Sequence, residues 1–289
     1  MKRFDAVMRR YTALIETYLA GCFCEEAPQK ELFDAIRYSL LAGGKRLRPM
    51  LTLALCEICG GSAEEALPFA AAVEMVHTYS LIHDDLPCMD NDDYRRGKPT
   101  NHKVYGEAMA VLAGDALLTA AFSQLAAAAL PAERVVRAVD ALSRCAGELG
   151  MVGGQVLDMQ AERRAGSETE VRAIQSRKTG ALISAACQLG VIAAGGSVRQ
   201  QEAAADYAAA LGLAFQIRDD ILDVVGDAST LGKAVGVDGK KNTFVRLYGV
   251  DACREMVNTE TEKALAALAC FQNTEFLTEL AHHLAGREK

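Results

Sequence analysis

The stretch His-Thr-Tyr-Ser-Leu-Ile-His-Asp-Asp-Leu-Pro-Cys-Met-Asp-Asn-Asp-Asp, residues 77–93, decides how this chain is interpreted. An apolar, helix-compatible run ends in Asp84 and Asp85, and Asp90 follows in the next loop. Pro87 disfavours helical geometry at the preceding residue, so we predict that the helix stops there and that the chain turns Asp90 back toward Asp84. Carboxylates at a helix C-terminus oppose the helix dipole. A solvated acidic turn therefore explains this stretch poorly.

A second acidic cluster lies inside the apolar run 211–225. Asp219 and Asp223 share a helix face, where like charges destabilise an isolated helix by about 0.2–0.5 kcal/mol per pair. Burial would enlarge that repulsion. Two such clusters facing each other require cations, and oxygen ligands favour Mg²⁺ over zinc or copper. The predicted metal ligands are Asp84, Asp85, Asp90, Asp219, Asp220 and Asp223.

Composition indicates a helical protein. The 289 residues are 51% hydrophobic, and no proline after Pro131 interrupts a helix. No sustained alternation of apolar and polar residues indicates a sheet, and no linker-like segment divides the chain. We therefore predict a helical globular protein with one domain over residues 1–289. Helical patterns include a long helix over 105–130 and another over 174–189.

Charge and cysteine content narrow the expected partners and location. The net charge of −7 has no dominant basic stripe, which argues against a nucleic-acid surface. The nine cysteines are scattered and follow no signal peptide, so we expect free thiols in a reducing cytoplasm. The uncharged segment 179–198 contains Gly, Ser and Gln, which favours a buried core helix over a membrane span.

Three further segments are suited to an anionic ligand. Residues 43–49, Gly-Gly-Lys-Arg-Leu-Arg-Pro, place cations and backbone donors before a helix N-terminus. Arg95 and Arg96 follow the first acidic cluster, as a metal-bound diphosphate would require. Gly180 follows Lys178 inside an apolar helix, where glycine costs about 1 kcal/mol relative to alanine, so a kink or a close ligand approach is expected. Taken alone, the two basic segments also fit solvated surface loops.

Four motifs occur in one order along the chain. They are Gly43-Gly44-Lys45-x-x-Arg48-Pro49, Asp84-Asp85-x4-Asp90 followed by Arg95-Arg96-Gly97, Lys178-Thr179-Gly180, and Gln216-x-x-Asp219-Asp220-x-x-Asp223. Together they resemble the trans-isoprenyl diphosphate synthases (polyprenyl synthetases), and within them the bacterial farnesyl diphosphate synthases, over residues 31–249. The resemblance implies an all-α fold, a single-domain helical bundle around a central apolar cavity, usually assembled as a homodimer.

The resemblance also implies a reaction. A Mg²⁺-dependent prenyltransferase would ionise dimethylallyl or geranyl diphosphate, and the double bond of isopentenyl diphosphate would attack C1 before a proton is lost. Mg²⁺ would act as a Lewis acid on the leaving group, and apolar walls would keep water from the allylic cation. The product of two additions would be farnesyl diphosphate.

The site residues follow from the matched motifs. The implied catalytic residues are Asp84, Asp85, Asp90, Asp219, Asp220 and Lys178. The residues implied to bind isopentenyl diphosphate are Lys45, Arg48, His77 and Arg96, and those implied to bind the allylic diphosphate are Arg95, Lys178, Thr179, Gln216 and Lys233. The resemblance also suggests that the loop 240–243 closes over the site, through either Lys240 or Lys241, and that the basic C-terminus 287–289 assists. It assigns no role to His83 or Cys88.

Product length depends on the side chain beneath Asp84. A helical wheel places Ser80 about 40° and Tyr79 about 140° from Asp84, so geometry alone does not choose between them. The resemblance favours Tyr79, because an aromatic residue at this position goes with a C15 product and a small one with C20. We therefore predict farnesyl diphosphate, with geranylgeranyl diphosphate as the alternative.

Two other classes share part of this pattern. A terpene cyclase would lack the Gly-Gly-Lys-x-x-Arg-Pro segment and usually the second acidic cluster. A non-catalytic subunit of the same fold would be expected to have lost one cluster. Both clusters and the basic segment are intact, which favours an active prenyltransferase.

Overall fold

Helices form nearly all of the regular structure in this computed structural model, which describes residues 2–161, 166–225 and 243–287. The helices of the first half are α1 (Lys2–Ala20), α2 (Lys30–Leu40), α3 (Leu47–Ile58), α4 (Ala63–Asp84), α5 (Asn101–Tyr105), α6 (Glu107–Ala127) and α7 (Ala132–Ala146). Those of the second half are α8 (Met151–Ala161), α9 (Glu168–Gln175), α10 (Ala181–Ala194), α11 (Val198–Val225), α12 (Phe244–Ala267) and α13 (Glu275–Gly286).

Three short elements complete the described chain. A π-helical turn, Ser176–Gly180, joins α9 to α10, and a 3-10 turn, Leu268–Cys270, follows α12. The described strands are the antiparallel pair β1 (Tyr94–Arg95) and β2 (Lys98–Pro99). The prediction of an all-α fold is confirmed.

Helix α4 lies at the centre of the bundle and packs against α3, α6 and α10. Its residues 69–76 are buried without interruption, as expected for a helix that is apolar on every side. The main core extends from Phe4 of α1 to Leu284 of α13, so the described helices form one bundle. A smaller apolar cluster, which includes Ile221 and Phe244, lies beside the end of α11.

The two ends of α4 follow from local chemistry. Ser62 caps the first turn, because its hydroxyl accepts hydrogen bonds from the backbone N–H groups of Glu64 and Glu65. The helix ends at Asp84. The loop then returns, and the N–H of Asp90 donates to the carbonyl of Asp84 at 2.9 Å. The predicted return of Asp90 toward Asp84 is confirmed.

Two predicted helical segments differ from the structure in detail. The segment 105–130 is essentially α6, which begins two residues later than predicted, because Gly106 at φ +85° separates it from Tyr105, the last residue of α5. The segment 174–189 contains the end of α9, the π-helical turn and the start of α10. Its Gly180 lies in that turn, so the expected irregularity is present.

One described helix, α6, is long and apolar enough by length and composition to cross a membrane, and 33% of its most apolar window is buried. A single helix of this kind is weak evidence for a span. The segment 179–198 is mostly α10, whose residues 185–187 and 189–193 are buried, as predicted for a core helix.

Candidate active site

The first acidic cluster forms where α4 ends. Burial raises the pKa of Asp84 to about 6, and the charge of Asp90 adds to this shift, whereas the charge of Lys178 opposes it. The three groups therefore lie within electrostatic reach of one another. A partly buried carboxylate with an acidic neighbour favours a bound cation.

Asp85 is the residue directly after α4, at its C-cap position, and it is 3% exposed. Its carboxylate accepts from Arg95 Nε at 2.7 and 3.0 Å and lies 2.6 Å from Arg95 Nη2. Strand β1, which carries Arg95, is thereby fixed against α4. The predicted metal ligand Asp85 and the predicted phosphate ligand Arg95 are paired with each other in this structure.

The π-helical turn places two predicted ligands of the allylic diphosphate. Lys178 Nζ donates to Asp158 Oδ2 of α8 at 2.6 Å, and Gln216 Nε2 of α11 donates to the hydroxyl of Thr179 at 2.5 Å. Gly154 lets α8 approach closely, since a Cβ there would lie 2.2 Å from the backbone nitrogen of Lys178. Neither a motif nor helix spacing had indicated a partner for Asp158.

The second acidic cluster lies along the last turns of α11. Asp219 accepts from the guanidinium of Arg287, and Asp220 accepts from the N–H of Phe244 at 2.8 Å, where α12 begins. Asp223 is buried. Each of these aspartates has further contacts. The predicted ligands Lys233, Lys240 and Lys241 lie outside the described residues.

Arg287 joins the C-terminal segment to this cluster. Its guanidinium lies 4.0 Å from the ring centroid of Phe215, and its Nη2 donates to the carbonyl of Phe215 at 3.1 Å. Its own carbonyl accepts from Nε of Arg218 at 2.8 Å. The structure thus brings the basic residue 287 to the acidic cluster, while residues 288–289 lie outside the described chain.

The four residues predicted to bind isopentenyl diphosphate lie around the first turn of α3 and the middle of α4. Burial lowers the pKa of His77 well below its ordinary value, and the charges of Arg48 and Arg96 lower it further, so His77 is neutral at pH 7. The pKa of Lys45 is lowered, mainly by burial and further by the charge of Arg287. The charge of Asp219 opposes this shift. The basic loop therefore lies near the second acidic cluster.

Arg48 and Arg96 differ in their hydrogen bonding. The Nε atom of Arg48 is buried and has no hydrogen-bond partner among the described residues. Arg96 donates to the carbonyl of Gly43. Gly44 adopts φ +124°, and a Cβ there would lie 2.8 Å from the guanidinium carbon of Arg96. A buried donor without an acceptor is suited to an incoming anion.

The two candidate residues for chain length face different neighbours. Tyr79 is 6% exposed, and its ring packs edge-on against His83 at 5.7 Å between centroids. His83 Nε2 lies 3.1 Å from the carbonyl of Val111 on α6. The hydroxyl of Ser80 donates to the carbonyl of His77 in its own helix. Tyr79 therefore has a fixed place, and His83, which the sequence left without a role, supports it.

No three acidic, His or Cys side chains converge closely enough to hold one metal ion within residues 2–161, 166–225 and 243–287. Two of the predicted metal ligands, Asp85 and Asp219, are each paired with an arginine in this structure. The donor set still fits Mg²⁺, since it is all oxygen and includes Asp84, whose raised pKa a nearby cation would lower.

Comparison with known proteins places this site in a family. Residues 29–280 match the polyprenyl synthetase family. The chain is 47% identical over 265 residues to a geranylgeranyl pyrophosphate synthase of Catharanthus roseus, covering 89% of this chain and 74% of the relative. It is 44% identical over 279 residues to a dimethylallyltranstransferase of Fischerella ambigua, covering 94% and 80%.

Two solved structures have the same fold. An FPP/GFPP synthase of Zymomonas mobilis superimposes with a TM-score of 0.89 at 35% identity, covering 98% of this chain and 99% of that one. A geranyltransferase of Helicobacter pylori, complexed with magnesium and isoprenyl diphosphate, superimposes with a TM-score of 0.85 at 34% identity, covering 96% of each chain. The chain belongs to the polyprenyl synthetase family and is a trans-isoprenyl diphosphate synthase, a prenyltransferase, by sequence and by fold.

Proposed function

We propose that this prenyltransferase uses Mg²⁺ to join isopentenyl diphosphate to dimethylallyl and then geranyl diphosphate, and that it releases farnesyl diphosphate. The observation that carries the proposal is the arrangement of charges along α4. Arginines surround His77, and Lys178 lies near Asp84. His77 and Asp84 lie seven residues apart on one helix face. That spacing is about 10 Å, so two diphosphate groups fit at separate sites along one helix.

The acidic end of α4 would bind the allylic substrate. Asp84 and Asp90, together with the cluster at Asp219, would hold the cations, and Mg²⁺ when bound supplies Lewis-acid stabilisation of the departing diphosphate. The diphosphate ligands would be Arg95, Lys178, Thr179, Gln216 and Lys233. Lys178 and Arg95 are paired with carboxylates in this structure, and diphosphate oxygens would replace those partners as charge-assisted acceptors.

The basic end of α4 would bind isopentenyl diphosphate without a metal. Arg48 of α3 has an unpaired buried donor, Arg96 lies beside Gly44, and Lys45 precedes α3. Neutral His77 can donate one hydrogen bond without adding repulsion to the cations around it. The inorganic diphosphate released when the allylic substrate ionises would accept the proton lost after condensation, because its anionic oxygens remain beside the new bond.

Product length rests on Tyr79. The relatives include geranylgeranyl pyrophosphate synthases, and the solved neighbours include an FPP/GFPP synthase, so similarity alone does not choose between C15 and C20. A buried phenol ring supported by His83 supplies bulk two turns or less from Asp84. That bulk favours C15, and geranylgeranyl diphosphate is the alternative product.

We also infer a cytoplasmic homodimer with one domain over residues 1–289 and no nucleic-acid or membrane partner. Apolar side chains exposed on α6 and on α8 support a second copy as the partner, because contact with another chain would remove them from water. The exposed residues are Val111, Leu112, Val152, Val156 and Met159.

Product analysis tests this function. The protein is incubated with isopentenyl diphosphate, either dimethylallyl or geranyl diphosphate, and Mg²⁺, and the dephosphorylated products are separated by chromatography. We expect a C15 alcohol, and no product when EDTA replaces Mg²⁺. A C20 alcohol as the main product would establish the alternative. No product under any condition would identify a non-catalytic member of the family.

A further inference from the structure

Arg46 lies between two predicted substrate ligands, yet its side chain faces the protein. The side chain is 0% exposed. Nη1 lies 2.6 Å from Glu74 Oε1 of α4, and Nε lies 2.7 Å from Glu16 Oε1 of α1. Nη2 donates at 2.7 Å to the carbonyl of Leu40, the last residue of α2. One guanidinium therefore ties the basic loop to three helices.

The backbone at Arg46 explains why such a tie is needed. Arg46 adopts φ +47° and ψ +33°, the left-handed conformation that residues with a Cβ rarely adopt. It is also the residue that caps α3. Its conformation therefore sets the direction in which Lys45 leaves the loop and the position of Arg48 in the first turn of α3.

Glu74 provides the buried counter-charge for this region. Its side chain is 3% exposed and lies one helical turn before His77 on α4. Burial lowers the pKa of Arg48 and of Arg96, and the charge of Glu74 opposes both shifts. The same carboxylate thus acts on three arginines, and it accepts a hydrogen bond from Arg46.

We infer that Glu74 and Arg46 are positioning residues for the isopentenyl diphosphate site. Their ion pair fixes the left-handed turn of the basic loop, and the Glu74 charge holds Arg48 and Arg96 in place before substrate arrives. Neither residue touches the substrate. The inference rests on the proposed function, because it assigns isopentenyl diphosphate to the site that they support.

Two variants separate positioning from simple stability. Glu74→Gln keeps the size of the side chain but removes the charge, and Arg46→Lys keeps the charge but loses the planar fork that joins three helices. The matched control is Glu57→Gln. Glu57 also links helices, since it accepts from Arg10 and from the hydroxyl of Tyr11 at 2.6 Å, but it belongs to no substrate site.

The first measurement is calorimetric binding of isopentenyl diphosphate in EDTA, which needs no metal because the site consists of protein cations. We expect Glu74→Gln and Arg46→Lys to weaken binding by about 10-fold or more, as expected for a displaced charge-assisted contact. The second measurement is steady-state kinetics. The KM for isopentenyl diphosphate should rise similarly, while the KM for geranyl diphosphate should stay within about 2-fold of wild type. Glu57→Gln should leave both substrates unaffected.

Results that refute the positioning role differ from results that refute the proposed function. If the wild type turns over but folded Glu74→Gln binds isopentenyl diphosphate normally, the positioning role is wrong. Equal changes in KM for both substrates would also overturn it. If Glu74→Gln does not fold, Arg46→Lys decides the same question. A wild type that neither binds isopentenyl diphosphate nor turns over would instead refute the proposed function.

Discussion

The guanidinium of Arg287 contacts the carboxylate of Asp219, the first acid of the second cluster. Arg287 is 9% exposed and also lies over the ring of Phe215. A predicted metal ligand is therefore paired with a protein cation. If Asp219 binds Mg²⁺ as proposed, the cation would compete with Arg287 for this carboxylate, and metal binding would then be coupled to the position of the C-terminal segment.

Removing the Arg287 cation should change both stability and the response to Mg²⁺. Arg287→Met leaves Asp219 without this partner, and we expect a loss of about 1 kcal/mol, because the Asp219 side chain is 39% exposed and solvent screens the pair. Mg²⁺ should stabilise the variant more than it stabilises the wild type. Thermal unfolding with and without Mg²⁺ measures both effects.

The control for this prediction is Arg254→Met, which removes an exposed pair with Asp251. Its stability and its response to Mg²⁺ should match the wild type. An equal stabilisation of Arg287→Met and wild type by Mg²⁺ would show that Asp219 and the metal are not linked through Arg287.

The raised pKa of Asp84 gives a pH-dependent prediction for the metal-free protein. Folding raises this pKa from 3.8 to about 6, so the folded state binds a proton more tightly than the unfolded chain. Asp84 therefore contributes stability below about pH 4, and this contribution is lost as the pH rises through 6. At pH 8 the ionised, buried carboxylate destabilises the fold.

Asp84→Asn should remove that penalty. In EDTA at pH 8, we expect its free energy of unfolding to exceed that of the wild type by up to about 3 kcal/mol, and the difference should shrink at pH 4. Turnover with Mg²⁺ should fall by about 100-fold or more, since one metal ligand is lost. Urea unfolding at pH 8 and pH 4 tests the expected change in stability. The control is Asp140→Asn, at an exposed aspartate. A variant no more stable than wild type at pH 8 would contradict the burial argument.

Gly154 should be required for the position of the π-helical turn. A Cβ at residue 154 would lie 2.2 Å from the backbone nitrogen of Lys178, so Gly154→Ala forces α8 and the turn apart. We expect a loss of about 1–3 kcal/mol in stability, typical of overpacking, and a raised KM for the allylic substrate. Gly212→Ala is the matched control, because its Cβ would meet Gly180 at 3.5 Å, an ordinary contact. Equal KM values in the two variants would show that the turn does not position the allylic site.

Local features of the site were predictable from sequence, whereas its ion pairs were not. The end of α4 and the return of Asp90 follow from Pro87 and from helix geometry. The pairs of Lys178 with Asp158 and of Arg287 with Asp219 join residues from different helices. Such pairs depend on how the helices pack, which spacing along one helix does not determine.

Backbone irregularities were predicted only in part. The glycine after Thr179 indicated a kink, and the structure has a π-helical turn there. The start of α6 was placed two residues early, because the sequence pattern does not show the break that Gly106 makes at φ +85°. The left-handed backbone conformation of Arg46 was not predictable either, because arginine rarely adopts it and nothing in the sequence marks the position.

Tyr79 should determine where elongation stops. Its buried ring is supported by His83, which lies against α6 through Val111 and Gly114. Tyr79→Ala removes the ring and should move the main product from C15 to C20 or longer while turnover continues, because the acidic clusters are untouched. Tyr79→Phe keeps the ring and should still give C15. Chromatography of the dephosphorylated products from both variants makes the comparison, and a clean C15 product from folded Tyr79→Ala would show that Tyr79 does not limit chain length.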